Sequence, residues 1–342
     1  MRSEVSHIFY IHSNITYLAS LSVIQEENLQ NPLLLFGRKY TNELITNDFH
    51  KIYLDHSIDV LNDISSSGCP WLVFKYATSL RHLKQIISKY SKEGYVCYLP
   101  HVKNFLMQYF VMHKACRQFS IIEEGLLSYT NSKSIVKQTN RKFTDTFSGR
   151  IIRFLKYVNH ANSSSVYFPI KARLTGVHLF FNHRNENGDQ KIKLLNWPNL
   201  KVKIPDFNNR KIFIIDNLES NNFLDIKNYL SVYRSVFKEF YQSDLDIKFH
   251  PANSPSLDII HLLDEQRINY RLIDPNIPLE LVFLKSKFLK VYGLFSSLLF
   301  YASLMGHESV SFAKHAEQFD ERISPMMKKL MPAVFFEKVR LI

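Results

Sequence analysis

The sequence has little cysteine and no long apolar run, and each of these features excludes a class of protein. Its three cysteines, Cys69, Cys97 and Cys116, form no CxxC pair and leave one residue unpaired, which argues against both a disulfide framework and a zinc site. The longest nearly uncharged stretch, residues 291–306, is shorter than the roughly 20 apolar residues that a bilayer-spanning helix needs. We therefore expect a protein of a reducing compartment that has no transmembrane helix.

The sequence also lacks a secretory signal peptide. The opening stretch MRSEVSHIFYIHSN leads directly into a strand-like segment, without the apolar region and the small-residue cleavage site of a signal peptide. We expect the mature protein to begin here and to act in the cytoplasm.

Apolar residues and positive charge, in contrast, are abundant. Hydrophobic residues make up 46% and aromatic residues 14% of the 342 positions, which is enough for a large core, and a chain of this length usually forms two domains. Lys and Arg number 43 against 31 Asp and Glu, which gives a net charge of +12. That charge favours partners that carry phosphate: nucleic acids, nucleotide substrates or an anionic membrane surface.

Short apolar runs alternate along the chain with segments of helical period, a pattern typical of parallel sheets covered by helices. Residues 79–94 and 228–244 show the clearest helical period. A polar stretch over residues 128–173 separates two groups of strand-like runs. The runs are SHIFYIH, NPLLLFG, KIYLDH, WLVFKYA, YVCYLPH and FSIIEE before it, and GVHLFFN, KIFIID, LDIKFHP, INYRLID and FLKVYGLF after it. We therefore predict two α/β domains.

Three of the predicted strands end in residues that can carry chemistry, and ligands of open α/β sheets bind beyond such ends. The first is FSIIEEG, where Glu123 and Glu124 end a strand and Gly125 permits a sharp turn. Adjacent carboxylates on a strand point to opposite sides, so at most one faces a given cleft, where it can act as a general base. The alternative is an acidic loop in solvent.

The other two strand ends carry groups that can bind phosphate. His250 follows a strand, and Pro251 keeps its backbone extended, so that the ring can act as an acid or a hydrogen-bond donor. Ser296 and Ser297 stand between an apolar strand and a helical segment, where free amides and the helix dipole form an anion site. A structural histidine and simple helix capping are the alternatives.

The order and spacing of these motifs resemble a known family. The set is similar to the motifs of bacterial sialyltransferases of GT-B architecture. It consists, in chain order, of two acids and a glycine, His-Pro, NIPLELVF and a pair of serines. The resemblance covers roughly residues 119–300. The chain departs from the family in having EEG where DDG is commoner, and Ala-Asn-Ser after His-Pro where the family has a basic residue. The resemblance implies an α/β fold of GT-B type, with two Rossmann-like domains that face a central cleft.

The resemblance also implies three parts of the chain. Residues 1–165 would form an N-terminal Rossmann-like domain on the acceptor side, with the EEG motif. Residues 166–320 would form a C-terminal Rossmann-like domain that binds the CMP-sugar through the His-Pro and Ser-Ser motifs. Residues 321–342 would be a basic and apolar tail, which either touches an anionic membrane surface or packs back on the body with its basic side in solvent.

On the acceptor side, the resemblance implies a role for both acids. Glu124 would be the general base that deprotonates the acceptor hydroxyl, and Glu123 would support it. His12, Ser13 and Asn14, at the end of the first predicted strand, are further candidates to line the cleft.

On the donor side, the family uses CMP-sialic acid, with no other cofactor and no metal ion. His250, with Pro251 beside it, would be the general acid or the donor to the CMP phosphate, and Ser296 with Ser297 would bind that phosphate. Glu280 matches a glutamate that binds the ribose hydroxyls of cytidine. The reaction would be a single displacement with inversion.

The resemblance further implies the partners of the protein. The acceptor would be a galactose-containing bacterial surface glycan, free or lipid-linked, of lipooligosaccharide, O-antigen or capsule. The enzyme would then be cytoplasmic, with a peripheral position on the inner face of the membrane if the basic tail binds there. A transferase of another CMP-activated acid sugar, of the Kdo or legionaminic type, is the nearest alternative.

A basic nucleic-acid-binding protein is a more distant alternative, prompted by the positive charge. The basic residues are dispersed along the chain and form no recognised nucleic-acid-binding motif, so we expect no nucleic acid partner. The formal DxD at Asp244 to Asp246, a pattern of metal-dependent glycosyltransferases, precedes a predicted strand and therefore lies away from the expected ligand edge.

Overall fold

The computed structural model describes most of the chain as two α/β units. It describes residues 6–37, 48–54, 77–90, 93–102, 105–129, 173–181, 191–216, 226–250, 255–321 and 323–342. The described residues up to Leu200 form the first unit, and those from Lys201 onward form the second.

The first unit is built on a parallel sheet of seven strands in the order β3-β2-β1-β4-β5-β6-β7. These strands are β1 (Ser6–Ile11), β2 (Leu33–Phe36), β3 (His50–Tyr53), β4 (Tyr95–Leu99), β5 (Cys116–Ile122), β6 (Leu174–Leu179) and β7 (Ile192–Leu194). The helices of its described residues are α1 (Asn14–Glu26), α2 (Ala77–Tyr90) and α3 (Phe105–Met112), followed by a 3-10 turn at Leu126–Tyr129. The strand order reverses between β1 and β4.

Continuous burial explains why the central strands of this sheet read as apolar runs. All four residues of β2 are buried, and so are the last four of β1, because helices cover both faces of a parallel sheet. The period of residues 79–94 predicted a one-sided helix, and in α2 the side chains of Leu83, Ile86 and Ile87 are buried. That prediction is confirmed.

The second unit has a parallel sheet of six strands in the order β10-β9-β8-β11-β12-β13. They are β8 (Lys211–Ile215), β9 (Asp244–Phe249), β10 (Asn269–Leu272), β11 (Lys290–Gly293), β12 (Glu308–Ser311) and β13 (Arg340–Leu341). Its described helices are α4 (Ile226–Phe237), α5 (Leu257–Glu265), α6 (Leu279–Lys285), α7 (Ser297–Leu304), α8 (Ala313–Glu317), α9 (Ile323–Leu330) and α10 (Ala333–Lys338). Here the order reverses between β8 and β11, as in a Rossmann fold.

Aromatic side chains form much of the core of the second unit. Phe213 of β8 lies with its ring centroid 5.3 Å from that of Phe237 and 5.6 Å from that of Phe240. The helical period over residues 228–244 allows either Phe240 or Tyr241 to face inward. Phe240 is the buried one, because a 3-10 turn at Lys238–Phe240 ends the helix and leaves Tyr241 exposed.

The predicted boundary between residues 165 and 166 is wrong. Strand β6 pairs with β5, and β7 pairs with β6, so both belong to the sheet of the first unit. The first unit therefore extends to Leu200. The polar stretch at residues 128–173 is not a domain boundary, because it connects β5 and β6, which are neighbours in one sheet.

Residues 321–342 are not a separate tail but a part of the second unit. Strand β13 pairs with β12, and Val334, Phe335 and Val339 are buried. The apolar side of this segment thus packs on the body, as in the second of the two interpretations, while Lys328 and Lys338 are exposed. Among the helices of the described residues, none combines the length and the apolar character that crossing a bilayer requires.

Candidate active site

The first unit brings three polar side chains to the carboxyl edge of its sheet. His12 directly follows β1, His101 lies two residues after β4, and Glu124 lies two residues after β5. The strand order reverses between β1 and β4, and at such a point the loops diverge and leave a crevice in which ligands bind. The three residues therefore lie where an α/β sheet places its chemistry.

The Glu124 carboxylate lies between two imidazole rings. Its Oε1 is 3.2 Å from Nδ1 of His12 and 3.8 Å from Nε2 of His101, and the two ring centroids are 6.3 Å apart. The His12 contact lacks the alignment of a hydrogen bond, so the interaction is electrostatic. About a fifth of the Glu124 side chain, 19%, remains exposed, so that a substrate hydroxyl can reach it.

Two hydroxyl groups fix the backbone of Glu124. Ser13 caps α1 by accepting from Thr16 N at 3.1 Å, and its hydroxyl donates to the Glu124 carbonyl at 2.9 Å. The Glu124 amide donates to Ser128 Oγ at 2.9 Å. Gly125 has a φ of +153°, a conformation that residues with a Cβ rarely adopt, which explains the glycine after the two acids. The turn thus holds the carboxylate at the edge of the sheet.

Glu123 lies inside the first unit, unlike its neighbour. It is fully buried, and its Oε2 accepts from Tyr129 OH and from the Phe180 amide, both at 2.7 Å. Burial, reinforced by the charge of Glu123, raises the pKa of Tyr129 well above its ordinary value, so the phenol keeps its proton and donates it. Glu123 therefore ties the turn after β5 to the end of β6.

The second unit gathers the remaining predicted residues at the carboxyl edge of its own sheet. His250 follows β9, Ser296 and Ser297 follow β11, and Glu280 lies in the helix after β10. Since all strands of this sheet are parallel, these ends lie at one edge. The sequence places His250, Ser296 and Ser297 just beyond strand ends, and in the structure they follow β9 and β11.

His250 is at the surface, and the protein that partly covers its ring lowers its pKa below the ordinary value. A neutral imidazole is a hydrogen-bond donor through one nitrogen, and a nearby phosphate favours its protonated form. Pro251, the predicted companion of His250, lies outside the described residues.

The two serines begin helix α7. Ser296 is the N-cap, and its Oγ accepts from the Leu298 amide at 3.3 Å. Its own hydroxyl proton remains available for an anion, because a capping serine accepts with oxygen and donates with hydrogen. Ser297 is the first residue of the helix and is exposed. Capping and anion binding are thus compatible at this helix end.

Glu280 lies in the first turn of helix α6, which Pro278 precedes as the N-cap. The side chain is half-buried. A carboxylate in the first turn of a helix is favoured by the helix dipole and is an acceptor for ligand hydroxyls.

Asp216 is a residue that the sequence analysis missed. It directly follows β8, is half-buried, and its Oδ2 accepts from the amides of Leu294 and Phe295, each at 3.0 Å. Burial raises its pKa to about 6, although both hydrogen bonds act in the opposite direction. Asp216 thus shapes the loop that leads into Ser296. Its place just after the apolar run KIFII is the same signal that identified the other strand ends.

Asp244 and Asp246 lie at the amino edge of the second sheet, away from the four residues above. Asp246 is buried and forms ion pairs with Arg271 and, at 3.5 Å, with Arg210. Both guanidinium groups lie over the ring of Phe207, within 6 Å. Asp246 of the formal DxD therefore belongs to a structural ion-pair cluster. The position of both aspartates away from the carboxyl edge agrees with the prediction from the sequence.

Comparison with known proteins identifies the fold and the family. Among solved structures, the chain resembles the glycotransferase of kitacinnamycin, with 12% identity, a TM-score of 0.53, and coverage of 99% of this chain and 86% of that one. It also resembles the α/β-galactoside α-2,3-sialyltransferase of Photobacterium phosphoreum, with 11% identity, a TM-score of 0.49 and 99% coverage of both chains.

A third similar structure is the GT-B domain of a sialyltransferase from Photobacterium damselae, with 13% identity, a TM-score of 0.49, and coverage of 98% of this chain and 99% of that one. No curated protein matches the chain in sequence. The two Rossmann-like sheets and the likeness to glycosyltransferase structures confirm the predicted GT-B fold. The family model of alpha-2,8-polysialyltransferases (POLYST) matches residues 8–311. The chain therefore belongs to the alpha-2,8-polysialyltransferase family and is a glycosyltransferase of the sialyltransferase kind.

Proposed function

We propose that this protein transfers sialic acid from CMP-sialic acid to a hydroxyl group of a glycan, with inversion and without a metal ion. The observation that carries the proposal is the Glu124 carboxylate, which lies at the edge of the first sheet with an imidazole 3.2 Å away and another 3.8 Å away. Two further observations support the proposal. The predicted donor-side residues lie at one edge of the second sheet, and the chain belongs to a polysialyltransferase family.

In the proposed reaction, Glu124 takes the proton of the acceptor hydroxyl while that oxygen attacks the anomeric carbon of the sugar. The bond between this carbon and the phosphate oxygen breaks, and its electron pair leaves with CMP. One displacement of this kind inverts the configuration. The proton on Glu124 then passes to His12 or His101, whose ring nitrogens are the neighbours of the accepting oxygen.

On the donor side, charge develops on the phosphate of CMP as the bond breaks. His250 donates to that phosphate, and the hydroxyls of Ser296 and Ser297 with the amino end of α7 add donors and positive potential. These groups are held in place before the reaction, so they stabilise the transition state without reorganising. Glu280 accepts from the ribose hydroxyls and thereby selects a ribonucleotide.

The family supports an acceptor that differs from the galactose-containing glycan expected from the sequence. The name of the family describes transfer in an α-2,8 linkage, for which the acceptor hydroxyl belongs to a sialic acid. We therefore propose a glycan that ends in sialic acid, on a bacterial surface polysaccharide or its lipid-linked precursor, as the preferred acceptor. A cytoplasmic location and a contact of residues 321–342 with the membrane stay predictions.

Calorimetric titration with CMP tests the donor class, with UMP and GDP as controls and EDTA present throughout. We expect binding selective for CMP, weakened by His250→Ala and by Ser296→Ala combined with Ser297→Ala. Replacement of His261, an exposed histidine of the same unit, with Ala is the matched control and leaves binding unchanged.

A transfer assay tests the reaction itself. CMP-sialic acid and CMP-Kdo are offered as donors with glycans that end in sialic acid or in galactose. Transfer from CMP-Kdo but not from CMP-sialic acid would mean that the donor is CMP-Kdo. A folded protein that binds no nucleotide contradicts the whole proposal, and salt-sensitive retention on DNA would then favour a basic nucleic-acid-binding protein.

A further inference from the structure

The second unit contains a buried lysine to which the proposed reaction gives no role. Lys248 lies on β9, two residues before His250, and only 4% of it is exposed. A lysine is rarely buried to this extent unless its charge has partners. The partners of Lys248 therefore indicate what the residue does.

All three donors of the Lys248 ammonium group meet backbone carbonyls of one loop. Nζ donates to the carbonyl of Asp274 at 2.7 Å, of Pro275 at 3.0 Å and of Ile277 at 2.9 Å. An ammonium group has three N–H bonds, so this loop uses its full donor capacity. Burial lowers the pKa of Lys248 to about 8, and the negative charges of Glu280 and Asp274 oppose that shift.

This loop, residues 274–277, leads directly to the proposed ribose-binding residue. It closes with hydrogen bonds from the Asn276 amide to Asp274 Oδ1, at 2.8 Å, and from the Ile277 amide to the Asp274 carbonyl, at 3.0 Å. Helix α6 begins two residues later, with Glu280 in its first turn. The position of the Glu280 backbone therefore depends on a loop whose carbonyls converge on Lys248.

We propose that Lys248 is a positioning residue for the nucleotide: by binding the 274–277 loop, it sets the position of Glu280 relative to His250, and with it the preference for ribose. Strand β9 then acts on two parts of one ligand. His250, just after the strand, binds the phosphate, and Lys248, on the strand, positions Glu280, which binds the ribose. This inference rests on the proposed function, because it requires CMP as the ligand.

Calorimetry with CMP, 2′-deoxy-CMP and cytidine tests the inference through two ratios of affinity. The CMP to 2′-deoxy-CMP ratio reports the ribose contact, and the CMP to cytidine ratio reports the phosphate contact. In the wild type we expect a ribose ratio of about 10 to 100, typical of a hydrogen bond to a charged group. We expect Lys248→Met to lower the ribose ratio to the value found for Glu280→Gln or below it. The phosphate ratio of this variant stays at the wild-type value.

Lys285→Met is the matched control. Lys285 is at the other end of α6, and its Nζ also donates to backbone carbonyls, to Ile204 at 2.7 Å and to Val202 at 3.4 Å. Its removal disturbs a similar contact of the same helix without touching the 274–277 loop. We expect both ratios to keep their wild-type values in this variant.

Two further variants keep the test decisive if Lys248→Met does not fold. Lys248→Arg keeps the charge, but the longer, planar guanidinium does not reproduce three bonds that radiate from a single nitrogen to the three carbonyls. Asp274→Ala removes the exposed carboxylate that closes the loop and leaves Lys248 intact. Each is expected to lower the ribose ratio in a protein whose circular dichroism spectrum is unchanged.

The outcomes separate this inference from the proposed function. A wild type that binds no CMP contradicts both. If the wild type binds CMP and prefers ribose, and the variants of Lys248 and Asp274 keep the wild-type ribose ratio, the inference is wrong while the proposed function stands. Equal weakening of CMP, 2′-deoxy-CMP and cytidine in these variants also overturns the inference, because that result describes a lysine that only stabilises the unit.

Discussion

Replacing Asp216 with Asn tests the most unusual charged group at the edge of the second sheet. Burial raises the pKa of this carboxyl group from 3.8 to about 6, so the folded protein holds the proton more tightly than the unfolded chain does. The contribution of Asp216 to stability is therefore fully present below about pH 3.8 and is lost as the pH rises to about 6. The difference between a pKa of 3.8 in the unfolded chain and about 6 in the folded protein corresponds to roughly 3 kcal/mol of unfolding free energy.

An asparagine keeps an oxygen that can accept from the Leu294 and Phe295 amides, but it does not titrate. We expect the free energy of unfolding of Asp216→Asn, minus that of the wild type, to grow by about 3 kcal/mol between pH 3.8 and 6 and to be constant above. Urea unfolding followed by far-UV circular dichroism, at several pH values for both proteins, measures this difference, and all other titrations cancel in it. Asp258→Asn, an exposed site in the same unit, is the control. Parallel profiles of wild type and Asp216→Asn would refute the reasoning.

Three further changes follow from the geometry of the two sheet edges. Glu124→Gln removes the base and is expected to lower kcat by about 10²- to 10⁴-fold in the transfer assay, with no change in the Kd of CMP. Tyr129→Phe leaves the buried Glu123 carboxylate with one donor fewer, which costs about 1–3 kcal/mol in urea unfolding; an unchanged midpoint would mean that Glu123 does not depend on that bond. Ser296→Ala removes the cap of α7, with a loss of about 1 kcal/mol of stability and weaker CMP binding; stability loss alone would assign Ser296 to capping only.

The sequence predicts the central strands of both sheets and the edge strands β3 and β10, but it misses β7, β12 and β13. The runs that became β1, β2, β4 and β8 are nearly continuous stretches of apolar residues, because both faces of those strands are buried. Strand β12 escaped prediction, since its buried positions include Ser309 and Ser311, which carry no apolar signal. Strand β13 has only two residues, too few for any period to show.

The same division applies to the site. Glu124, His250 and Ser296 could be placed at sheet edges because each stands next to an apolar run, which is a local feature of the sequence. The sequence alone does not predict the contacts between these residues and other elements. His101 lies 23 positions before Glu124 and Lys248 lies 26 before Asp274, and only the strand order brings these residues together. The misplaced domain boundary has the same cause, since pairing of β6 with β5 is a tertiary property.

Charged side chains that are buried or half-buried recur where the loops of the site begin, and stability does not explain them. Glu123 binds the end of β6, Asp216 binds the amides before Ser296, and Lys248 binds the loop before Glu280. A buried charged group loses its hydration, and an apolar side chain of similar size often stabilises a fold at least as well. What a charge adds is several short, directed bonds from one side chain to backbone groups of another segment. In both units such a side chain therefore fixes the loop that carries a site residue.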